Sequence, residues 1–388
     1  MFLLLIACGS RPADPSSGAP TSGAPVDPLE AARTFAASRP IYEQPLGDGT
    51  EGVPGLPSLS AETCRACHSE LYDEWHTSVH AVAWIDRQFQ SEITKSGNTW
   101  LCINCHTPLR VQQQVLAVDL VEGDVERPVL VDNPAYDAAL RDEGITCAAC
   151  HVRDGAIHGP GLGGNPPHPV VADPDYRSGA LCERCHQATA TYPGKNFVCT
   201  FDTGNEWRSG PYDEEGRTCV DCHMPTVTRP AALGGPERTV ARHWWRGAGI
   251  PKVEGRYPPP EANRFGLELA AVVRDGAVEV TATNANAGHM LPTGDPERKV
   301  LVTTLFDGEA VHTEVFGQEW TWEPPTKHGD TRLAPRESRV HRVPLREGVK
   351  AVVVVARSER MSEENRAYHH LDGYPVDVET HRLEVDTP

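Results

Sequence analysis

A chain of 388 residues has room for two to three domains of ordinary size, each able to bury a core of its own. Its formal charge of -18 argues against nucleic acid, since phosphate binding relies on Lys and Arg displacing counterions; a macromolecule that docks here presents a basic face. Thirty-four Gly and 34 Pro beside 39% hydrophobic residues describe a folded but loop-rich protein.

The chain begins MFLLLIACGS, an apolar run ending at Cys8 with small residues on both sides. This resembles a bacterial lipoprotein cleavage site at which Cys8 is lipidated, although the basic stretch of an export signal is missing and the run is short. Residues 1–8 therefore read as a signal remnant. Residues 9–60, rich in Pro, Gly, Ser and Ala, read as a flexible tether, apart from a short helix around Leu29 to Ala37. No later run approaches the ~18 apolar residues needed to span a membrane, so any attachment is through a lipid. The expected location is the periplasm, or the outer membrane by an anchor, of a Gram-negative bacterium.

From residue 61 to 260 the texture is dense in cysteine and histidine. C-x-x-C-H occurs five times, and the motifs hold ten of the 12 cysteines: Cys64, Cys67 and His68; Cys102, Cys105 and His106; Cys147, Cys150 and His151; Cys182, Cys185 and His186; Cys219, Cys222 and His223. This is the attachment signature of haem c, in which two thioethers fix the porphyrin and the adjoining histidine ligates iron. Zinc sites built from cysteine pairs would leave one pair over and five histidines unexplained. A thioredoxin-like context for redox disulfides is missing, as are the cysteine runs of iron-sulfur clusters. Five covalently attached haems are expected, with their flat apolar faces serving as the core of short helices and loops.

Distal ligands fall to histidine, because beyond Met1 only Met224, Met290 and Met361 remain. The segment SELYDEWHTSVHAVAWIDRQF reads as one amphipathic helix carrying His76 and His80 four apart, with His80 the preferred ligand. His168 lies between prolines, His158 is its close rival, and His243 sits beside Trp244 and Trp245. The remaining candidate is His289, in NANAGHMLPTGD, where Gly288 allows close approach and Pro292 stiffens the loop.

From residue 264 to 388 the pattern alternates. Apolar runs such as LELAAVV, AVEVTAT, VLVTTLF and AVVVVARS, parted by turns such as RDG, predict an antiparallel, immunoglobulin-like β-sandwich without cysteine. The fold class expected is thus a mainly helical and irregular multihaem domain followed by an all-β sandwich.

CRACHSELYDEWHTSVHA and NEWRSGPYDEEGRTCVDCHMP resemble motifs of the multihaem cytochrome c group that includes the nitrifier tetrahaem electron carrier and is related to octahaem hydroxylamine oxidoreductases. The tail around GHMLPTGDPERK is similar to a β-domain appended to such cytochromes. The resemblance implies that His80 is a distal ligand and that the His289 loop faces the haems. Five motifs is not the tetrahaem count, and all five end in His, whereas a typical pentahaem nitrite reductase has a catalytic-site Lys. The sequence reads as an electron carrier between redox proteins, such as cytochromes or a quinol oxidoreductase, rather than an enzyme. The alternative is an oxidoreductase acting on a small nitrogen or sulfur compound at one open-coordination haem.

Overall fold

The structure, a computed structural model, describes residues 26–96, 100–161, 165–192, 197–259, 265–322 and 324–387. The lipoprotein-type start and the first part of the expected tether lie outside these residues. The short helix expected around Leu29 to Ala37 is present, and the loop after it is packed rather than loose. Asp27 caps a helix over Pro28–Ala37, its carboxylate accepting from the Leu29 amide. Ala32 and Ala36 of the helix are buried, Phe35 packs on Trp100 with centroids 5.7 Å apart, and Leu46 and Val53 join the interior. Arg33 anchors the following loop through Asp48, 2.5 Å away. The composition suggested a tether because Gly and Pro dominate, but a few apolar residues find partners on the next domain and order the segment.

The cysteine-rich part is built of helices one to three turns long and two- or three-stranded sheets. Two of its small apolar clusters are centred on Leu109 with Ala149, and on Trp75 with Ala61 and Ala81. The expected single helix around His80 is a correction. Ser69–Thr77 is helical, Ser78 turns to an extended conformation, and a second helix runs over Arg87–Ser96. The apolar spacing continues across the break, but the His80 carbonyl accepts from the Ile145 and Ala83 amides, so His80 belongs to a tight turn instead. No helix among the described residues is long and apolar enough to cross a membrane.

Eight strands form the C-terminal part: β1 (Leu267–Arg274), β2 (Ala277–Asn284), β3 (Lys299–Phe306), β4 (Glu309–Trp322), β5 (Pro325–Asp330), β6 (Ser338–Pro344), β7 (Val352–Glu359) and β8 (Asp377–Val385). Two antiparallel sheets result, in the orders β1-β2-β6 and β5-β4-β3-β7-β8. Period-2 alternation directs Val278, Val280 and Ala282 of one sheet, and Val300, Val302, Phe316, Val354 and Ala356 of the other, into a shared core. The β1–β2 turn places Asp275 and Gly276 at φ 48° and 71°, as a tight hairpin turn requires.

Candidate haem-binding site

Four C-x-x-C-H motifs lie on short helices, Trp100–His106, Cys147–His151, Ala180–His186 and Cys219–His223; the first starts in the last turn of Ala61–Arg65, with the Cys67 and His68 amides bonded to the Cys64 carbonyl beyond it. Helical spacing sets the two cysteines three apart on one side, with the histidine one residue on. Local bonds start these turns. The Ser60 hydroxyl accepts from the Glu62 amide at 3.2 Å, and Asp221 accepts from the Thr218 amide at 2.7 Å.

Four of the five motif histidines place Nδ1 against a backbone carbonyl: His68 on Ala231 at 2.8 Å, His106 on Ala83 at 2.8 Å, His151 on His158 at 2.7 Å and His223 on Arg246 at 2.6 Å. A donating Nδ1 fixes the tautomer and leaves the Nε2 lone pair for a metal. His243 and His289 do the same, on the carbonyls of Ala241 at 3.0 Å and Met290 at 2.9 Å.

Three motif histidines face a second imidazole. Ring centroids are 6.4 Å apart for His186 and His80, 6.1 Å for His151 and His243, and 6.2 Å for His223 and His289. Two imidazoles on opposite sides of one metal, each with its nitrogen about 2.0 Å away, put their centroids roughly 6.3 Å apart. The residues therefore fit an iron held between two histidines at three places. Burial, with the facing imidazole next in effect, pushes His80 and His243 down to about 3 and His223 to about 4; burial also lowers His106 and His186 to about 4, and it lowers His151 and His289. All stay neutral at physiological pH, the form that ligates a metal.

The other sequence candidates sit elsewhere. His76 stacks on Tyr72, with centroids 5.6 Å apart. The His158 ring lies 3.6 Å from Asp173, while its carbonyl holds His151. His168 is half-exposed on its loop, Nδ1 3.4 Å from the Pro169 carbonyl.

Several contacts that build the site join residues the sequence does not pair. Trp245 packs edge-on against both His80, at 4.7 Å, and His243, at 5.1 Å. Glu74, 6% exposed, accepts from the His243 amide at 2.9 Å and from the Arg242 guanidinium at 2.8 Å, tying that ligand segment to the Ser69–Thr77 helix. The His289 loop is docked by the NEWRSGPY stretch. Glu206 accepts from Thr293 at 2.5 Å and from Arg332 at 2.6 Å, and the Tyr212 hydroxyl donates to the Ala285 carbonyl at 3.0 Å. Gly288 is not what permits this approach, since a Cβ there would meet Trp207 and Tyr212 at an ordinary 3.4 Å; Gly294, at φ 90°, is the glycine the loop's backbone requires.

The cysteines of different motifs also meet. The Cys64 thiol contacts Cys147, Cys105 contacts Cys185, and Cys182 contacts Cys219.

Residues 63–126 match the family described as cytochrome c554 and c-prime. The fold is similar to that of a penta-heme cytochrome c552 from Thermochromatium tepidum, with a TM-score of 0.58 and 18% identity, over 89% of this chain and 99% of that one. No curated protein matches the chain. The matched segment and the shared fold support a multihaem c-type cytochrome, the class whose attachment motif this sequence carries five times.

Proposed function

We propose that this protein is a five-haem electron carrier that passes electrons between redox partners in a bacterial cell envelope. The observation that carries the reading is the set of three histidine pairs at 6.1 to 6.4 Å, each joining a C-x-x-C-H histidine to one from a distant segment. The ten motif cysteines hold the groups by thioethers. His68, His106, His151, His186 and His223 would hold the irons beside their own attachment sites, and His80, His243 and His289 would share an iron with His186, His151 and His223 in turn. Haem c supplies one-electron chemistry when bound. The chain's own contribution is to fix neutral imidazoles, shield them from water and set which attachment sites adjoin. The cross-motif thiol contacts support an order in which the first motif neighbours the third, and the fourth neighbours both the second and the fifth.

A second reading, reduction or oxidation of a small nitrogen or sulfur compound at an open-coordination haem, has its own support. Among the described residues neither His68 nor His106 has an imidazole contact of the iron-spanning kind. The His106 ring is instead covered by Phe89, stacked at 3.6 Å. Tyr176 is no free acid for such a reaction, because its hydroxyl donates to the Cys150 carbonyl and its ring lies on His151.

The strand orders of the C-terminal part support an immunoglobulin-like reading: lettered along the chain, they run A-B-E and C″-C′-C-F-G, as in a variable-type sandwich without strand D. An N-terminal lipid on Cys8 belongs to the same proposal, and metabolic labelling with palmitate, lost in Cys8→Ser, tests it.

The decisive experiment counts haems by the pyridine haemochrome assay and records the EPR spectrum of the oxidised protein. Five haems per chain with low-spin bis-imidazole signals are expected. Fewer haems, or no such signals, would overturn the proposal. A high-spin signal that shifts with nitrite or hydroxylamine selects the second reading.

A further inference from the structure

The sandwich carries a polar cluster that the haem reading does not use. In β4, His312 stands opposite Thr304 and Glu314 opposite Val302 of β3; in β6, His341 stands opposite Val280 of β2. Residues directly opposite share a face of the sheet, and Val280, Val302 and Thr304 are fully buried. His312, Glu314 and His341 therefore take inward positions where a sandwich otherwise places apolar side chains. They do so at the rim, because β6 is an edge strand and this half of β4 pairs only with β3.

The three converge across the gap between the sheets. His312 Nε2 lies 3.6 Å from Glu314 Oε2, the two imidazole centroids are 4.9 Å apart, and the ligand atoms of all three residues fall within 4.8 Å of one another. Ligands on a tetrahedral zinc, with bonds near 2.0 Å, sit about 3.4 Å apart, so the His312–Glu314 spacing already suits a metal and His341 needs only a small side-chain rotation. Two further observations point the same way. His341 Nε2 and Thr304 Oγ1 are buried without a hydrogen-bond partner, a cost the fold bears for no return within the chain. The site is also reachable, since the His312 side chain is 41% exposed.

We propose that His312, Glu314 and His341 form a binding site for a zinc-class divalent transition ion, which clips the two sheets together at the rim and leaves a fourth position to water or an incoming ligand. Two imidazoles and one carboxylate suit zinc and its neighbours in the affinity series, and they are a poor set for calcium or magnesium, which take oxygen donors. The site is independent of the five C-x-x-C-H motifs and of their iron.

The test uses the haem-loaded protein, stripped with a chelator and titrated with zinc chloride. Calorimetry and elemental analysis against haem iron give the stoichiometry, and zinc K-edge absorption gives the ligands. One tightly held zinc with two imidazole scatterers and one oxygen donor is expected. Glu314→Gln and His341→Val should each weaken it roughly a hundredfold or more, at least the upper end of what losing an outer-shell partner costs. The same zinc should persist in His328→Ala, whose imidazole bonds to Thr321 at 2.9 Å elsewhere in the domain. Should His341→Val misfold, the isosteric Glu314→Gln decides. Equal zinc affinity in wild type and Glu314→Gln, or an absorption spectrum without imidazole, would overturn the proposal.

Discussion

The imidazole of His289, on a loop of the cysteine-free sandwich, lies with its centroid 6.2 Å from that of His223 in the last C-x-x-C-H motif, their planes 16° apart. The two parts of the chain therefore share one candidate metal position. On the proposed haem reading, His289→Ala should convert one low-spin haem to high-spin and weaken the contact between the sandwich and the cysteine-rich part. Optical and EPR spectra check the first effect, and limited proteolysis the second. Unchanged spectra would leave His289 a packing residue.

His76 and His80 are equivalent by helical spacing but not in space. His80→Ala is expected to alter one haem's ligation, because its ring faces His186, whereas His76→Ala, with its ring on Tyr72, is expected to leave the spectrum as it was. The same EPR measurement on both variants separates them.

The His289 loop is held by a buried ion pair. Arg332 and Glu206 are 8% and 7% exposed at 2.6 Å, and Asp330 completes the group at 2.8 Å from the same guanidinium. Arg332→Met strands the Glu206 carboxylate and should cost about 3–5 kcal/mol, read as a lowered urea midpoint by circular dichroism. Adding Glu206→Gln to the same chain should recover part of that loss.

A second buried contact crosses the molecule at Asp86. Burial acts to raise its pKa, but the Lys252 ammonium and hydrogen bonds from Lys252 and from Tyr374, at 2.6 Å, outweigh this and hold it below the usual range. Tyr374→Phe removes one bond to a charged acceptor and should cost about 1.5–3 kcal/mol in the same denaturation experiment.

Glu92 sets a pH dependence. Burial, followed by the charge of Asp295, raises its carboxyl to about 7 from the ordinary 4.5. The folded state then binds a proton that the unfolded state has released. Stability should fall as pH rises from 4.5 through 7 and level off above, and Glu92→Gln should flatten that slope. Thermal melts across this range, wild type against variant, measure it; an identical slope in both would discount the Glu92 carboxyl.

Motif and period were legible in the linear chain. C-x-x-C-H is a local motif of five consecutive residues, so all five copies of it can be read directly. The strands of the sandwich followed from alternation, which is likewise local, and Asp275-Gly276 marked a turn by its backbone preference alone. What failed was local reading stretched too far. Residues 38–60 looked loose because composition cannot see the partners that bury Leu46 and Val53, and the helix through His80 looked continuous because its apolar spacing survives the break at Ser78.

Which histidine faces which was decided only by the tertiary structure. His186 meets His80 from more than a hundred residues earlier, and His223 meets His289 from another domain. Such pairings depend on loop closure and on docking bonds such as Glu206 to Arg332, contacts between residues with no common motif or period. The rim cluster of His312, Glu314 and His341 is of the same kind. His312 and Glu314 share one strand and His341 lies on another, and only the packing of two sheets face to face brings the three together at one edge.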